Sequence, residues 1–209
     1  MARQLDHLVY TVPHLETAMD DLEARLGVRP VFGGYHKTRG TKNALLKLND
    51  GAYLEILAAD DGNIDVPPPR WMGVDLLTGA KMTRWALKSD DLLADQRTLR
   101  ATDPRLGEIV ASSRKTADGA TLKWSMILPL AAPEVDVLPF MVDWRESEAH
   151  PHDALPESGC GVISVLIAHP APAAVSVTLD ALGCELAVVE EVAPSLGALL
   201  RCPNGIVQL

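Results

Sequence analysis

The stretch that decides the fold spans residues 5–60 and divides into five runs. It begins with LDHLVYTV (5–12), an alternating and β-branched run that predicts a strand. The next run, ETAMDDLEARLG (16–27), has apolar residues at helical spacing and a glycine placed to end the helix. Three strand-like runs separated by glycines and turns complete the stretch: RPVFGGY (29–35), TKNALLKLND (41–50) and AYLEILAAD (52–60). The predicted order is strand, helix, strand, strand, strand.

The same layout recurs downstream, which indicates a chain built from repeated units. It can be followed through residues 82–145 and, in shorter form, through 160–209. Two segments rich in proline, glycine or acidic residues, 60–81 and 146–159, connect these units to each other and to the first unit at 1–59. We therefore expect an α+β fold in which repeated βαβββ modules form curved mixed sheets around a cleft. That cleft is the expected binding site.

Composition and charge narrow the classes of partner. Nineteen Lys and Arg against 28 Asp and Glu give a net charge of -9, which repels the phosphate backbone of nucleic acids. No apolar run reaches the roughly 20 residues that span a bilayer, and the first residues lack a secretory layout. Three widely spaced cysteines argue against a disulfide framework and a thiolate zinc site. We expect a cytoplasmic protein whose partner is a small molecule, with neither nucleic acid nor membrane as a partner.

Two residues of the first unit predict a metal site. Alternation places His7 on one face of the first strand and Glu55 on one face of the last strand. If these strands are neighbours in a curved sheet, an imidazole and a carboxylate there suit a divalent ion such as manganese, iron, cobalt, nickel or zinc. The alternative is a buried histidine paired with a buried glutamate in a polar network.

His36 lies in GGYHKTRGTKN (33–43), a glycine-rich stretch that also carries Thr41 and Asn43. Its imidazole would serve as a third metal ligand or as a catalytic acid or base, because histidine titrates near neutral pH. The alternative is a solvated histidine in a hairpin loop. Asn43 and Tyr53 are predicted to contact a bound substrate.

Candidates later in the chain would bind substrate. Arg84 occupies in the second unit the position of His7 in the first, where its guanidinium would clamp an anionic group or pair with a nearby aspartate. Trp85 and Trp124 are either core residues or walls of the cleft. The histidines of residues 150–152 lie in an acidic connecting segment and are predicted to be exposed.

The runs LDHLVYTVPHLETAMDDLEARLG, GGYHKTRGTKNALLKL and GAYLEILAAD together resemble a glyoxalase-like domain of the vicinal oxygen chelate superfamily. The resemblance covers residues 5–58 well, 82–144 in part and 160–209 only in layout. It implies paired βαβββ modules that form a U-shaped sheet around a metal, with ligands on the first and fourth strands of a module. His7 matches the first-strand ligand, and Glu55 matches the fourth-strand carboxylate.

The later units depart from the pattern of glyoxalase I. Arg84 and the apolar residues around Met141 stand where a second pair of ligands is expected. The third unit offers Ser164 and Gln208, and Gln208 is the candidate for a neutral oxygen ligand because glutamine has that role in epimerases of the superfamily. This unit either completes the cleft or forms a homodimer contact.

The resemblance implies a metal-dependent enzyme, of the lyase, isomerase or dioxygenase class, that acts on a small oxygenated metabolite. The metal would bind two adjacent substrate oxygens and stabilise an enolate or oxyanion, while His36 moves a proton and Arg84 orients an anionic group. With His36 as a ligand, two histidines and a carboxylate would form the facial triad of iron dioxygenases. The alternative is a metal-free binding protein, like the drug-sequestering members, whose cleft is walled by Tyr53, Trp85 and Trp124.

Overall fold

Eight strands form one strongly curved sheet in the computed structural model, which describes residues 3–115 and 121–209. The strands, in chain order, are β1 (Leu5–Thr11), β2 (Val31–His36), β3 (Thr41–Lys47), β4 (Tyr53–Ala59), β5 (Lys81–Lys88), β6 (Ile109–Lys115), β7 (Thr121–Ile127) and β8 (Phe140–Asp143). Their order across the sheet is β2-β3-β4-β1-β5-β8-β7-β6. Strand β1 pairs in parallel with β4 and antiparallel with β5, so the sheet is mixed. The predicted α+β fold with curved mixed sheets is confirmed.

Each half of this sheet carries one helix between its first and second strands. Helix α1 (Leu15–Leu26) ends at Gly27, whose φ of 80° lies in the left-handed region that favours glycine. Helix α2 (Leu92–Thr102) begins after Asp91, whose side chain accepts a hydrogen bond from the N–H of Ala94. Both halves therefore run strand, helix, strand, strand, strand, and their first strands, β1 and β5, join them along one edge.

The C-terminal unit forms a separate sheet. It consists of β9 (Gly161–His169), α3 (Pro172–Ala181), β10 (Val188–Glu190), β11 (Ser195–Cys202) and β12 (Gly205–Gln208). The order across this sheet is β10-β9-β11-β12, with β9 paired in parallel with β10 and antiparallel with β11. This unit repeats the element order of the first two. Its first strand, β9, is paired on both sides, so β9 has no free edge with which to extend the curved sheet.

The apolar residues form two clusters on opposite faces of the curved sheet. The larger cluster joins the helices to the sheet and includes Ile167, Leu196 and Leu200 of the C-terminal unit. The smaller cluster lies on the face away from the helices: Val9, Leu57, Met72, Val74, Ala86, Met126, Phe140 and Val142. Short 3-10 helices at Trp71–Leu76 and Pro151–Ala154 belong to the two connecting segments. None of the helices that the structure describes is long and apolar enough to cross a membrane.

The cysteines depart from the expectation drawn from their spacing. Cys160 and Cys202 form a disulfide, with their Cα atoms 4.1 Å apart, and Cys184 is free and buried. The antiparallel pairing of β9 with β11 brings the two residues together, although 42 positions separate them in sequence. An odd number of widely spaced cysteines therefore did not exclude a disulfide.

Candidate functional site

Neighbouring strands bring His7 and Glu55 together on the face of the sheet away from the helices. Strands β1 and β4 pair in parallel, and Val9 lies opposite Glu55. His7 is two positions from Val9, so its side chain is on the same face as that of Val9 and hence of Glu55. His7 Nε2 lies 3.7 Å from Glu55 Oε2, and both residues are 5 % exposed. A nitrogen and an oxygen at this separation are close enough to coordinate the same metal ion with bonds near 2.1 Å.

The second oxygen of Glu55 faces the β2–β3 hairpin. Asn43 Nδ2 donates a hydrogen bond to Glu55 Oε1 at 2.6 Å, and His36 Nε2 lies 4.0 Å from the same oxygen. His36 Nδ1 is 3.0 Å from Thr41 Oγ1, a contact that orients the ring. The hairpin and the antiparallel pairing of β3 with β4 place these groups around one carboxylate. The structure thus brings His36 and Asn43 to the pair formed by His7 and Glu55.

Asp6 is a member of the site that sequence reasoning missed. Its carboxylate is fully buried and accepts hydrogen bonds from His7 Nδ1 at 2.6 Å, Trp144 Nε1 at 2.8 Å and His150 Nε2 at 3.0 Å. A register shift between Leu5 and His7 in the pairing of β1 with β5 leaves Asp6 out of the ladder. The available signal was a charged residue inside an otherwise apolar strand.

The charge state of Asp6 follows from its partners. Burial raises the pKa of Asp6, but hydrogen bonds and charge from His150 and His7 outweigh it and hold the pKa well below its usual range. Since an ionised carboxylate only accepts, His7 Nδ1 carries a proton in either charge state of the ring, and in the neutral ring the lone pair of Nε2 faces Glu55. His150 Nδ1 accepts the N–H of His152 at 3.3 Å, so its Nε2 is the atom that donates.

The walls around these polar groups are aromatic. The cavity has a volume of about 50 Å³ and is lined by five aromatic side chains: Tyr53, Trp71, Trp124, Phe140 and Trp144. The ring of His7 stacks on Tyr53, with centroids 4.7 Å apart, and meets the edge of Phe140 at 5.2 Å. Tyr53 and Trp124 therefore lie where the sequence predicted substrate contacts, whereas Trp71 and Trp144 were not predicted as walls. No arginine or lysine is among the described residues that line this cavity.

Arg84 is placed elsewhere by its hydrogen bonds. It is 1 % exposed and does not line the cavity. Burial lowers the pKa of Arg84, and its Nη atoms donate to four backbone carbonyls: Thr83, Leu130, Pro133 and Glu134. The repeated layout of the sequence correctly placed Arg84 on the first strand of its unit. It did not indicate the loop whose backbone carbonyls accept hydrogen bonds from the guanidinium. A role in clamping an anionic substrate group does not fit this placement.

Trp85 and Gln208 are also outside the cavity. Trp85 is 1 % exposed in the larger apolar cluster and donates its Nε1–H to the carbonyl of Val137. Gln208 is the last residue of β12, in the separate C-terminal sheet, where it lines a different groove. Trp85 as a wall and Gln208 as a metal ligand are therefore at odds with the structure. Trp85 and the apolar residues of the third unit belong to the larger cluster, on the face of the curved sheet opposite to the cavity.

The expected position of the histidines at 150–152 is corrected as well. The side chain of His150 is only 13 % exposed and contacts Asp6, Tyr53 and Trp144. His152 Nε2 donates to the backbone carbonyl of Leu48 at 3.1 Å. These contacts show that the connecting segment packs against the first unit. The buried carboxylate of Asp6 requires hydrogen-bond donors, and His150 of this segment supplies one of them.

The donor set can be tested against a metal ion. An imidazole nitrogen of His7 and a carboxylate oxygen of Glu55 are the ligand types that borderline divalent ions prefer, and their 3.7 Å separation fits. Asp6 on the other ring nitrogen of His7 supplies the outer carboxylate commonly found behind a metal-bound histidine. Within the described residues, however, no group of three or more His, Cys, Asp and Glu side chains is arranged to hold a metal. The pair fits an ion, and a third protein ligand would require movement of His36.

A curved eight-stranded sheet made of two βαβββ halves, with a histidine and a glutamate on adjacent strands of its inner face, defines the glyoxalase-like class of the vicinal oxygen chelate fold. The glyoxalase-like domain family matches residues 5–183, and the chain belongs to this family. The resemblance read from the sequence is confirmed. None of the curated proteins matches the chain.

Two solved structures are similar to this chain. A hypothetical protein from Staphylococcus aureus is 18% identical and has a TM-score of 0.59, with 98% of this chain and 83% of that chain covered. Methylmalonyl-CoA epimerase from Mycobacterium tuberculosis is 23% identical over 66% of this chain and 86% of its own, with a TM-score of 0.43. The likeness to the Staphylococcus aureus protein concerns the fold alone.

Proposed function

We propose that this chain is an enzyme of the vicinal oxygen chelate type that acts on a small oxygenated molecule and binds a divalent metal ion between His7 and Glu55. The supporting observation is the 3.7 Å separation of His7 Nε2 and Glu55 Oε2, two buried residues that line the cavity. Asp6 strengthens it, because a proton held on Nδ1 leaves the Nε2 lone pair free to bind an ion.

The chain's own residues then have distinct tasks. A bound divalent ion would supply Lewis-acid stabilisation of negative charge on substrate oxygens. Asn43 holds the second oxygen of Glu55, which fixes the direction in which the carboxylate presents the first. His36 is the residue placed to move a proton, because its Nε2 lies at the cavity beside Glu55 and its Nδ1 contacts Thr41.

The cavity also limits the substrate. Its volume of about 50 Å³ admits only the reacting end of a molecule, and its aromatic walls exclude water from that end. Because neither lysine nor arginine is among the described lining residues, a substrate is expected to be held through its oxygens and its apolar surface. Vicinal diketones, catechols and hydroxy acids carry the adjacent oxygens that such a site would bind.

The test is metal stoichiometry measured on protein purified without a chelating tag. Wild type should bind close to one equivalent of at least one of manganese, iron, cobalt, nickel and zinc, and Glu55→Gln should lose it. His14→Ala is the matched control, because His14 is exposed at the start of α1, outside the cavity. Metal-loaded protein is then screened for turnover of the three substrate classes. Wild type without bound metal would contradict the proposal.

A metal-free binding protein is the second candidate. It is favoured by the aromatic lining and by the lack, within the described ranges, of a three-residue metal group. Such a protein would quench tryptophan fluorescence on adding an aromatic ligand, with no product formed and no effect of a chelator. Trp124→Phe would reduce that quenching while leaving the fold intact.

A further inference from the structure

We infer that His150 is a positioning residue for His7 and that it acts through Asp6. The inference rests on the proposed function in one respect, since it names the group that prepares His7 for binding or catalysis. His150 belongs to the connecting segment 146–159, outside both halves of the curved sheet.

The orientation of the His150 ring is fixed from behind. His150 is the N-cap of the 3-10 helix Pro151–Ala154, where its Nδ1 accepts the N–H of His152 and its own N–H donates to Asp153 at 3.1 Å. With Nδ1 acting as an acceptor, the proton of the neutral ring must be on Nε2. That nitrogen lies 3.0 Å from Asp6 Oδ2. The short helix therefore determines which tautomer faces the buried carboxylate.

Asp6 passes this constraint on to His7. Its Oδ2 accepts from His150 and Trp144, while its Oδ1 accepts from His7 Nδ1. Without the His150 donor, a fully buried carboxylate would lose one of its three hydrogen bonds, and a buried charge that lacks partners is costly. The carboxylate would then be free to rotate, and His7 Nδ1 would no longer be a fixed donor.

Two substitutions separate the hydrogen bond from the packing of the ring. The ring of His150 also contacts Tyr53 and Trp144, with centroids 5.7 and 5.0 Å away. His150→Phe keeps an aromatic ring in that place and removes the donor, whereas His150→Gln keeps an N–H donor and removes the ring. A merely structural role would make the phenylalanine variant the milder change, and a positioning role would make it the more severe one.

The experiment reads the tautomer of His7 directly, by long-range proton–nitrogen correlation NMR of the imidazoles in metal-free protein above the pH at which histidines are charged. We expect wild-type His7 to show a single tautomer protonated at Nδ1, assigned by its loss in His7→Gln. His150→Phe should replace it by a mixture, and His150→Gln should restore the single form. His152→Phe, two positions further on in the same segment, is the matched control and should leave His7 unchanged.

An unchanged single tautomer of His7 in folded His150→Phe protein would overturn the inference. If that variant does not fold, wild type alone decides, because His150 protonated at Nδ1 instead of Nε2 would be incompatible with the bond to Asp6 and would also overturn it. No metal or substrate enters the measurement. Failure to bind metal would therefore contradict the proposed function and leave this inference standing. An unchanged His7 tautomer would contradict this inference and leave the proposed function standing.

Discussion

The two halves of the curved sheet share one order of elements and differ in what they place on its inner face. In the first half, β1 and β4 carry His7 and Glu55 into the cavity. In the second half, the first strand carries Arg84, whose Nη atoms are bound to backbone carbonyls, and the last strand contributes Phe140 and Val142 as apolar lining. A repeated backbone therefore does not repeat the chemistry. The first half supplies His7 and Glu55 together with Tyr53, whereas the second half supplies apolar and aromatic lining.

The difference has a physical basis in what each half must satisfy. The carboxylates of the first half are matched by imidazole and amide donors, and Nε2 of His7 faces Glu55 among the residues that line the cavity. The guanidinium of Arg84 is instead used to bind backbone carbonyls of the loop between β7 and β8, since buried carbonyls without donors are costly. We therefore expect loss of His7 from the first half to lower metal affinity and loss of Arg84 from the second half to lower stability.

The largest expected effect is the loss of metal in His7→Ala. We expect affinity to fall by about 100-fold or more, since even an outer-shell partner is worth about 10- to 100-fold, while the fold is retained. In wild type, affinity should also fall as the pH is lowered, because a protonated imidazole has no lone pair to donate. Isothermal titration with each divalent ion and a thermal melt measure both properties. Undiminished affinity in the variant would show that the first half does not hold the metal.

Arg84→Met should show the opposite pattern. Several buried carbonyls would lose their donors, so we expect the free energy of unfolding to fall by about 3 kcal/mol, with metal affinity per folded molecule unchanged. Urea denaturation measures the first quantity and metal titration the second. Arg145→Met is the control, because that side chain is exposed and pairs with Asp143 at the surface. A selective loss of metal affinity would return Arg84 to the site.

A smaller effect is expected from Gly33→Ala within the first half. A Cβ at Gly33 would lie 2.5 Å from Asn43 Oδ1, so the amide must shift from the position in which its Nδ2 donates to Glu55. Asn43 would not bind the metal itself but holds the proposed ligand Glu55 by a hydrogen bond, so we expect metal affinity to fall by about 10-fold. Gly79→Ala is the control, because a Cβ there meets no atom within 4 Å. Equal affinities in the two variants would remove Asn43 from the support of the site.

The smallest effect concerns the C-terminal unit, which lies outside both halves. Denatured, unreduced protein should show one reactive thiol, and three after reduction, because Cys160 and Cys202 are paired. In the native state, burial and then the charge of Asp180 raise the pKa of Cys184 to about 11. Its thiol should therefore alkylate slowly at neutral pH and faster as the pH rises. Alkylation should leave metal binding unchanged, and a loss of binding would place this unit at the site.

Local pattern determined the first half of the site. Periodicity two along β1 and β4 placed His7 and Glu55 on one face, and the hairpin of β2 and β3 placed His36 and Asn43 beside them. These contacts lie within one unit, where strand alternation and tight turns restrict the geometry before any packing is known. The repeat of the layout in the second unit was readable for the same reason.

Only the tertiary structure decided which distant groups complete the site. Asp6 meets His150, 144 positions away, and Trp144, 138 positions away, and no periodicity relates an irregular connecting segment to a strand. Arg84 was correctly placed on its strand, yet its contacts depend on a loop some 50 positions further on. Strand and helix patterns are set by interactions between near neighbours in sequence. The partners of a buried charge are set by whichever segments pack against it, and that is a property of the folded chain.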